Sequence, residues 1–237
     1  MKSLHILLLS LLVLLNSPVI KAASLNINPI LLSLSQEEPV TTLTLTNLSD
    51  KKVTVQADVL AWTQKNGHDI QQPTFDMVIS PAVFQVEGQK SQLLRVAWLS
   101  KHAIDKQLTY RVILREIVPN KIVIQNPKET NLQIAIAFSI PLFVEPAIKS
   151  QRFHWQAKWQ RNHQLQLHLQ NQGNTTLFLN KIQLSDNHQL LSSKNIFLYL
   201  LPMQHHEFAF PLKKTSELNV KAMINGEWNS ASVQIQD

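Results

Sequence analysis

Residues 40–61 read VTTLTLTNLSDKKVTVQADVLA and contain two runs in which apolar and polar side chains alternate. In the first run, Leu43 and Leu45 alternate with threonines, and in the second, residues 53–61, the odd positions are apolar. Because the side chains of a β-strand point alternately to opposite faces, this pattern predicts two half-buried strands. The polar residues 47–50 (NLSD) between the two runs predict a turn.

The same alternation continues on both sides of this stretch. It predicts further strands at residues 25–34, 75–79, 93–98, 108–117, 132–144, 153–159, 164–170, 177–184, 196–201, 206–212, 218–224 and 232–236. About seven of the predicted strands precede residue 145, which is the number expected of an immunoglobulin-like sandwich. A similar number follows it.

A short polar connection, residues 145–150 (EPAIKS), separates the two sets of strands. Its proline interrupts the strand pattern and stiffens the joint. The sequence therefore predicts an all-β protein with two immunoglobulin-like β-sandwich domains in tandem. Their predicted boundaries are 23–145 and 152–237, with a linker at 146–151.

The N-terminus has the three parts of a secretory signal peptide. Lys2 supplies the positive charge, residues 4–15 form the apolar core, and Ala22 and Ala23 are the small residues of a cleavage site. We predict a signal peptide over residues 1–22, with cleavage after Ala23 as the alternative. The apolar core is shorter than the roughly 20 residues that span a bilayer, and no later stretch is long and apolar. The mature protein is therefore predicted not to be embedded in a membrane.

Composition narrows the location and the partners. The chain has no cysteine, so each core must be stable by packing alone, and an exported protein of this kind fits a bacterial periplasm better than the outside of an animal cell. The formal net charge is +6, or +4 once Lys2 and Lys21 are removed with the signal peptide. Since the basic residues are scattered, we predict no nucleic-acid partner.

The sequence gives no sign of catalysis, of a metal site or of a cofactor. His205 and His206 are adjacent, and His163 and His168 are five residues apart, so each pair would point to opposite faces of a strand. No cysteine or paired carboxylate supports them as metal ligands. With four glycines in all, the chain also lacks a phosphate-binding loop. We predict that the protein is not an enzyme and binds no cofactor or metal.

Residues 132–144 (LQIAIAFSIPLFV) form an unusually long apolar ridge. The residues that share one parity are Leu132, Ile134, Ile136, Phe138, Ile140, Leu142 and Val144. This ridge could face the core of its own sandwich. Alternatively, it could belong to an edge strand that a partner covers, since an exposed apolar edge promotes aggregation. Residues 122–124 (IVI) could extend the ridge or pack as a local turn.

Several segments together resemble one known family. They are Ser80-Pro81, residues 88–96 (GQKSQLLRV), residues 110–119 (YRVILREIVP) and residues 132–146. These segments resemble the periplasmic chaperones of usher-dependent pilus assembly. Residues 55–64, with Trp62, are similar to the divergent branch called archaic or alternative. The resemblance covers the first domain, whereas the second domain matches only in length and strand content.

The resemblance implies a function. In this family, pilus subunits are immunoglobulin-like folds that lack their last strand, and the chaperone inserts its own edge strand into the vacant groove. It then delivers the subunit to an outer-membrane usher. Binding of this kind is β-augmentation, in which main-chain hydrogen bonds supply affinity. The implied donor-strand residues are Leu132, Ile134, Ile136 and Phe138, whereas Ile140–Val144 are expected to stay in the core.

The sequence departs from the best-known members at the anchor for the subunit's C-terminal carboxylate. Those members use an arginine and a lysine, but here Pro29 (or Leu31, in the nearest alternative alignment) and Pro141 occupy these positions. Proline carries no charge and has no N–H group. Candidate replacements are Arg95, Arg111 and Arg115. A strand arginine is also commonly an ion-pair partner, as Arg115 could be for Glu116.

Two other functions stay open at this point. The chain could be an exported structural or adhesive module without chaperone activity, which predicts self-assembly and no special role for Ile134 and Ile136. It could also be an enzyme or a ligand binder built on the same scaffold, because fold alone does not decide function.

Overall fold

The computed structural model describes residues 25–100, 102–117, 136–160, 164–186, 189–212, 214–215 and 217–236, and every regular element in them is a β-strand. The first ten strands are β1 (Leu25–Asn28), β2 (Leu32–Leu34), β3 (Val40–Asn47), β4 (Val53–Lys65), β5 (His68–Pro73), β6 (Met77–Ser80), β7 (Val83–Val86), β8 (Ser91–Trp98), β9 (Leu108–Glu116) and β10 (Ala137–Val144). The other eight are β11 (Phe153–Gln160), β12 (Gln164–Asn171), β13 (Leu177–Asp186), β14 (Gln189–Leu200), β15 (His205–Pro211), β16 (Leu218–Ile224), β17 (Glu227–Val233) and β18 (Ile235–Gln236). The prediction of an all-β protein is confirmed.

Strands β1–β10 form a sandwich of two sheets. One sheet has the order β1-β3-β8-β6, and the other has the order β2-β10-β9-β4-β5 with β7 paired to β4. The alternating residues predicted to face inward do so. Leu43, Leu45 and Val55 lie in one core cluster with Val96 and Val112, all of them buried.

A buried asparagine connects two turns at one end of this sandwich. The Asn47 side chain is fully buried, and its Nδ2 donates to the backbone oxygens of Lys51 at 2.7 Å and Val86 at 3.1 Å. The turn between β7 and β8 packs directly on this region, because a Cβ at Gly88 would lie 2.5 Å from the backbone oxygen of Asp50. The glycine of the segment 88–96 is therefore required by close packing.

Strands β11–β18 form a second sandwich with its own core. Its sheets have the orders β15-β12-β11-β18 and β14-β13-β16-β17. Leu165, Leu167 and Leu169 of β12 are fully buried between them. Asn171 has the role that Asn47 has in the first sandwich, donating to the backbone oxygens of Thr175, Leu200 and Leu201 at 2.8–3.1 Å.

The structure corrects several strand predictions. The predicted strand 25–34 is two strands, because the chain leaves one sheet after Asn28 and enters the other at Leu32. β5 and β7 were not predicted, and β5 (HDIQQP) is largely exposed, so it has no core-facing alternation to reveal it. β14 begins at Gln189, whereas the sequence predicted a start at residue 196. The first half of β14 was missed because it is also mostly exposed and shows no core-facing alternation. The predicted signal peptide lies outside the described residues.

The two sandwiches are in direct contact. Trp62 and Phe143 of the first form a buried cluster with Leu201 of the second, and Tyr199 packs against it. Beside this cluster, the Gln64 side chain accepts a hydrogen bond from the Leu201 N–H at 3.0 Å and donates one to the backbone oxygen of Tyr199 at 2.7 Å. The contact therefore combines apolar packing with directional hydrogen bonds.

Candidate functional site

Strand β10 has one edge that is only partly covered. It pairs antiparallel with β9 along its whole length, from Ala137 opposite Arg115 to Val144 opposite Leu108. On its other side, β2 pairs with it in parallel only over Leu142–Val144. Among the described strands, none covers residues 137–141 on this side.

The hydrogen-bond phase of β10 determines which groups face the open edge. The Glu116 N–H donates to the Ile136 oxygen at 2.9 Å, so the even-numbered residues bond to β9. The Glu145 N–H donates to the Leu34 oxygen at 2.8 Å, so the odd-numbered residues bond in the opposite direction. The N–H and C=O groups of Ala137 and Ser139 therefore point to the open edge.

The side chains of β10 alternate as the sequence predicts. Ile140, Leu142 and Val144 are buried in the first core, which confirms the expectation for this half of the ridge. Phe138 is partly buried and packs against the same core. Ile136, just before the strand, is half-buried, while Leu132 and Ile134 lie outside the described residues.

An apolar pocket lies beside the open edge, between β1 and β10. It has a volume of about 270 Å³ and is lined by Leu25, Asn26, Ile27, Ile30, Phe138, Ser139 and Ile140. Most of its lining is aliphatic or aromatic, and Ile30 is largely exposed. A strand added along β10 would point alternate side chains toward this pocket.

A second pocket of about 520 Å³ lies in the cleft between the sandwiches. Its lining includes Leu31, Phe143, Glu145, Lys149, Phe178 and Tyr199. The Glu145 carboxylate already has partners, with Gln107 Nε2 at 3.0 Å and Lys149 Nζ at 3.3 Å. Gln107 connects this wall to the second sandwich, because its Oε1 accepts the Thr176 N–H at 2.9 Å.

The three arginines that the sequence suggested as anchors lie in different environments. Arg95 is exposed on β8, in the sheet that does not contain β10. Arg115 pairs with Asp58 at 3.0 Å, so the suggested pairing with Glu116 is wrong. Arg115 and Glu116 are neighbours on β9 and point to opposite faces of the sheet. Lys149 in the cleft was not nominated, because nothing in its local pattern indicates a site.

Arg111 lies at the junction of the two sandwiches. Its Cζ is 3.7 Å from the ring centroid of Trp62 and 5.4 Å from that of Tyr199. Its Nη2 is 3.9 Å from Asp69, an ion pair at the long limit. Burial lowers the pKa of the Arg111 guanidinium, while the Asp69 carboxylate opposes that shift. The Nε atom is buried without a partner among the described residues.

A model of the family described as "Pili and flagellar-assembly chaperone, PapD N-terminal domain" matches residues 24–149. The chain belongs to this family. The match spans the first sandwich and confirms the resemblance found in segments 88–96, 110–119 and 132–146. No match was found among curated protein sequences.

Solved structures of pilus chaperones share the fold. A chain of the CsuC–CsuE chaperone–tip adhesion subunit pre-assembly complex, from archaic chaperone–usher Csu pili of Acinetobacter baumannii, matches with a TM-score of 0.69 and 20% identity, covering 91% of this chain and 100% of that chain. The E. coli chaperone DraB gives a TM-score of 0.62 and 20% identity, with 91% and 98% covered. The Salmonella enterica SafA pilin–SafB chaperone complex gives 0.63 and 14%, with 90% and 98% covered. The prediction of two immunoglobulin-like domains is confirmed.

Among the described residues, no three histidine, aspartate or glutamate side chains are grouped so as to hold a metal ion. Within the same residues, no helix has the length and apolarity to cross a membrane.

Proposed function

We propose that this pilus-chaperone family member works in the periplasm by lending β10 to a pilus subunit that lacks a strand. The subunit pairs with the open edge at Ala137 and Ser139, so its incomplete fold is closed and its apolar groove is covered. The chaperone then delivers the subunit to an outer-membrane usher. This is binding by β-augmentation and involves no covalent chemistry.

The open edge of β10 is the observation that supports this proposal most strongly. Ala137 and Ser139 present main-chain donors and acceptors that no described strand uses. Natural sheets normally protect such edges with charges or cover them. Here the edge carries an alanine and a serine, and it adjoins an apolar pocket, so a strand-shaped apolar partner suits it.

We assign subunit contacts to Leu132, Ile134, Ile136 and Phe138. They share the parity of Ile140 and Leu142, which fill the chaperone's own core. A strand that continues this parity would carry the apolar ridge out of the first sandwich. The ridge would then fill successive pockets of the subunit groove.

Among the arginines, Arg111 has the position that best suits contact with a bound subunit. It is paired with Pro141 in register, and its side chain reaches the aromatic cluster between the sandwiches. Arg95 is in the opposite sheet, and Arg115 is engaged by Asp58. Since Trp62 and Asp69 already hold Arg111, we propose that it supports the cleft wall beside the subunit. We also propose that the chain belongs to the divergent branch of the family, called archaic or alternative.

The test is co-expression of the exported chain with a pilus subunit encoded beside its gene. The ridge variant Ile134→Asp/Ile136→Asp is compared with His154→Asp/Gln156→Asp, which adds two aspartates at exposed positions of β11 in the second sandwich. Wild type and the control variant should yield a soluble one-to-one complex. The ridge variant should lose it, because charge placed in an apolar groove is strongly unfavourable.

Amide exchange supplies a second readout that needs no variant. Binding of the subunit should protect the N–H groups of Ala137 and Ser139 in the wild-type chain. If a folded ridge variant, checked by circular dichroism, still recovers full amounts of complex, the donor assignment is wrong. If these two amides stay unprotected in a complex, the edge is not the binding surface. Self-assembly of the chain without any subunit complex would favour a structural module.

A further inference from the structure

Two of the turns between neighbouring strands are built on the same dipeptide, asparagine–glycine. Asn66-Gly67 connects β4 to β5, and Asn225-Gly226 connects β16 to β17. The φ angles are 53° and 77° in the first turn and 51° and 85° in the second. Two-residue loops with positive φ at both positions are type I′ turns, for which asparagine–glycine is a preferred sequence. The two turns therefore share their sequence and nearly share their backbone conformation.

An asparagine that precedes a glycine can react with its own backbone. The glycine nitrogen attacks the asparagine Cγ, a C–N bond forms, and the side-chain nitrogen leaves as ammonia together with the proton of the glycine N–H. Water then opens the cyclic imide at either carbonyl and leaves aspartate or isoaspartate. The reaction consumes only water, and glycine favours it because no Cβ shields its nitrogen.

The two asparagine side chains differ in how they are held. Asn225 Oδ1 accepts the Phe178 N–H at 2.8 Å, and Asn225 Nδ2 donates to Gln151 Oε1 at 3.2 Å. The Asn225 N–H also donates to the Phe178 oxygen at 2.9 Å, so its backbone and its side chain are bound to the same residue of β13. Among the described residues, none forms a hydrogen bond with the Asn66 side chain. Both asparagines are exposed, so access to water does not distinguish them.

We infer that Asn66 is a site of spontaneous deamidation and that Asn225 is protected from it. Since the φ angles of the two turns match closely, the backbone distortion needed for ring closure is common to both. Attack at Asn225 must first break two side-chain hydrogen bonds, which at typical net strengths slows the reaction by roughly tenfold or more. Asn66 reacts without this cost.

Crowding around the glycines would give the opposite order. A Cβ at Gly67 would lie 3.5 Å from His206 Nδ1, whereas a Cβ at Gly226 would meet no described atom within 4 Å. The contact at Gly67 is an ordinary van der Waals distance to a side chain that can rotate, so we expect the hydrogen bonds of Asn225 to decide the order. Deamidation of Asn66 then adds a negative charge where the first sandwich touches β15 of the second.

The test is incubation of the folded chain at mildly alkaline pH, followed by proteolysis and mass spectrometry of the peptides that contain each turn. Both asparagines are thus followed in one sample, and Asn66 should deamidate roughly tenfold faster than Asn225. The same chain unfolded in urea is the control. It should deamidate both asparagines at similar rates, because each is followed by glycine.

The variant Gln151→Ala tests the protection of Asn225 directly. It removes one of the two side-chain hydrogen bonds, so Asn225 should deamidate about fivefold faster, while the rate at Asn66 stays unchanged.

Equal rates at the two asparagines of the folded chain, or a faster reaction at Asn225, would overturn the inference. Retention of both asparagines in the folded chain, under conditions in which the unfolded chain reacts, would overturn it as well. A preference for Asn66 that is present in the folded chain and absent in urea supports it. If Gln151→Ala fails to fold, the comparison of folded and unfolded wild type decides.

Discussion

The two sandwiches share one internal feature, a buried asparagine that connects turns, but their last strands expose different side chains. In each, a fully buried asparagine ends an inner strand, Asn47 ending β3 and Asn171 ending β12. Each side-chain nitrogen donates to three backbone oxygens, which connects turns that are distant in sequence. The sequences around the two asparagines, NLSD and NQGN, share the asparagine and little else.

The last strands differ in chemistry. In the second sandwich, the edge strand β17 exposes Glu227, Trp228, Ser230 and Ser232, and β18 crosses to pair in parallel with β11. In the first sandwich, the edge of β10 exposes Ala137 and Ser139 beside an apolar pocket. Charged side chains discourage strand pairing at an edge. The last edge strand of the second sandwich therefore carries a charge, at Glu227, that the open edge of β10 lacks.

The largest effect on the free energy of unfolding is expected from removing the buried asparagine side chain that both sandwiches share. We expect Asn47→Ala and Asn171→Ala each to lower the free energy of unfolding by about 2–4 kcal/mol, because each leaves buried carbonyls without a donor. Hydrogen exchange measured by mass spectrometry would separate the two sandwiches, since peptides from each can be followed independently.

The control for this pair is Asn195→Ala, since Asn195 is exposed on β14. It should change the unfolding free energy by less than about 0.5 kcal/mol. A large loss at Asn47 with no loss at Asn171 would break the equivalence of the two sandwiches. It would mean that the second core is held by packing alone.

Local alternation predicted the core well and the edges poorly. Leu43, Leu45 and Val55 were assigned inward from their own strands, and each is buried. β5 could not be predicted, because it lies at the outside of its sheet and has no buried face to impose a pattern. A prediction from alternation therefore succeeds where one face of a strand meets a core.

The candidate site depends on long-range pairing, which local patterns do not contain. The ridge was visible in the sequence, but the extent of the open edge depends on where β2 stops, and β2 lies about a hundred residues earlier in the chain. The partner of Arg115 proved to be Asp58 for the same reason, because β4 is its neighbour in the sheet. Such facts follow from topology rather than from composition.

The contact between the sandwiches offers a smaller test. Replacing Gln64 with alanine removes the acceptor of the buried Leu201 N–H and the donor to Tyr199, at a cost of about 1–2 kcal/mol. The Leu201 amide should exchange faster in NMR spectra, while core amides of each sandwich keep their rates. Gln72→Ala, at an exposed position on β5, should leave the exchange unchanged. Equal rates at Leu201 in both variants would mean that the apolar cluster alone joins the sandwiches.

The smallest expected effect is a pH dependence at the second point of contact. The turn after β4 packs over β15, where a Cβ at Gly67 would lie 3.5 Å from His206 Nδ1. Burial lowers the pKa of His206, and His205, Lys194 and His68 act in the same direction, whereas Glu207 opposes them.

The sign of this dependence follows from proton binding. Because the pKa of His206 is lower in the folded chain than the value of 6.5 for an exposed histidine, unfolding takes up a proton between these two pKa values. Stability should therefore be complete above about pH 6.5 and fall as the pH decreases through this window. Melting temperatures measured at about pH 7.5 and about pH 5.0, roughly 1 unit above and 1.5 units below that value, should differ less in His206→Gln than in wild type. His154→Gln, at an exposed position on β11, should keep the wild-type difference. If His206→Gln also keeps it, protonation at this contact does not couple to folding, and the two sandwiches titrate through other groups.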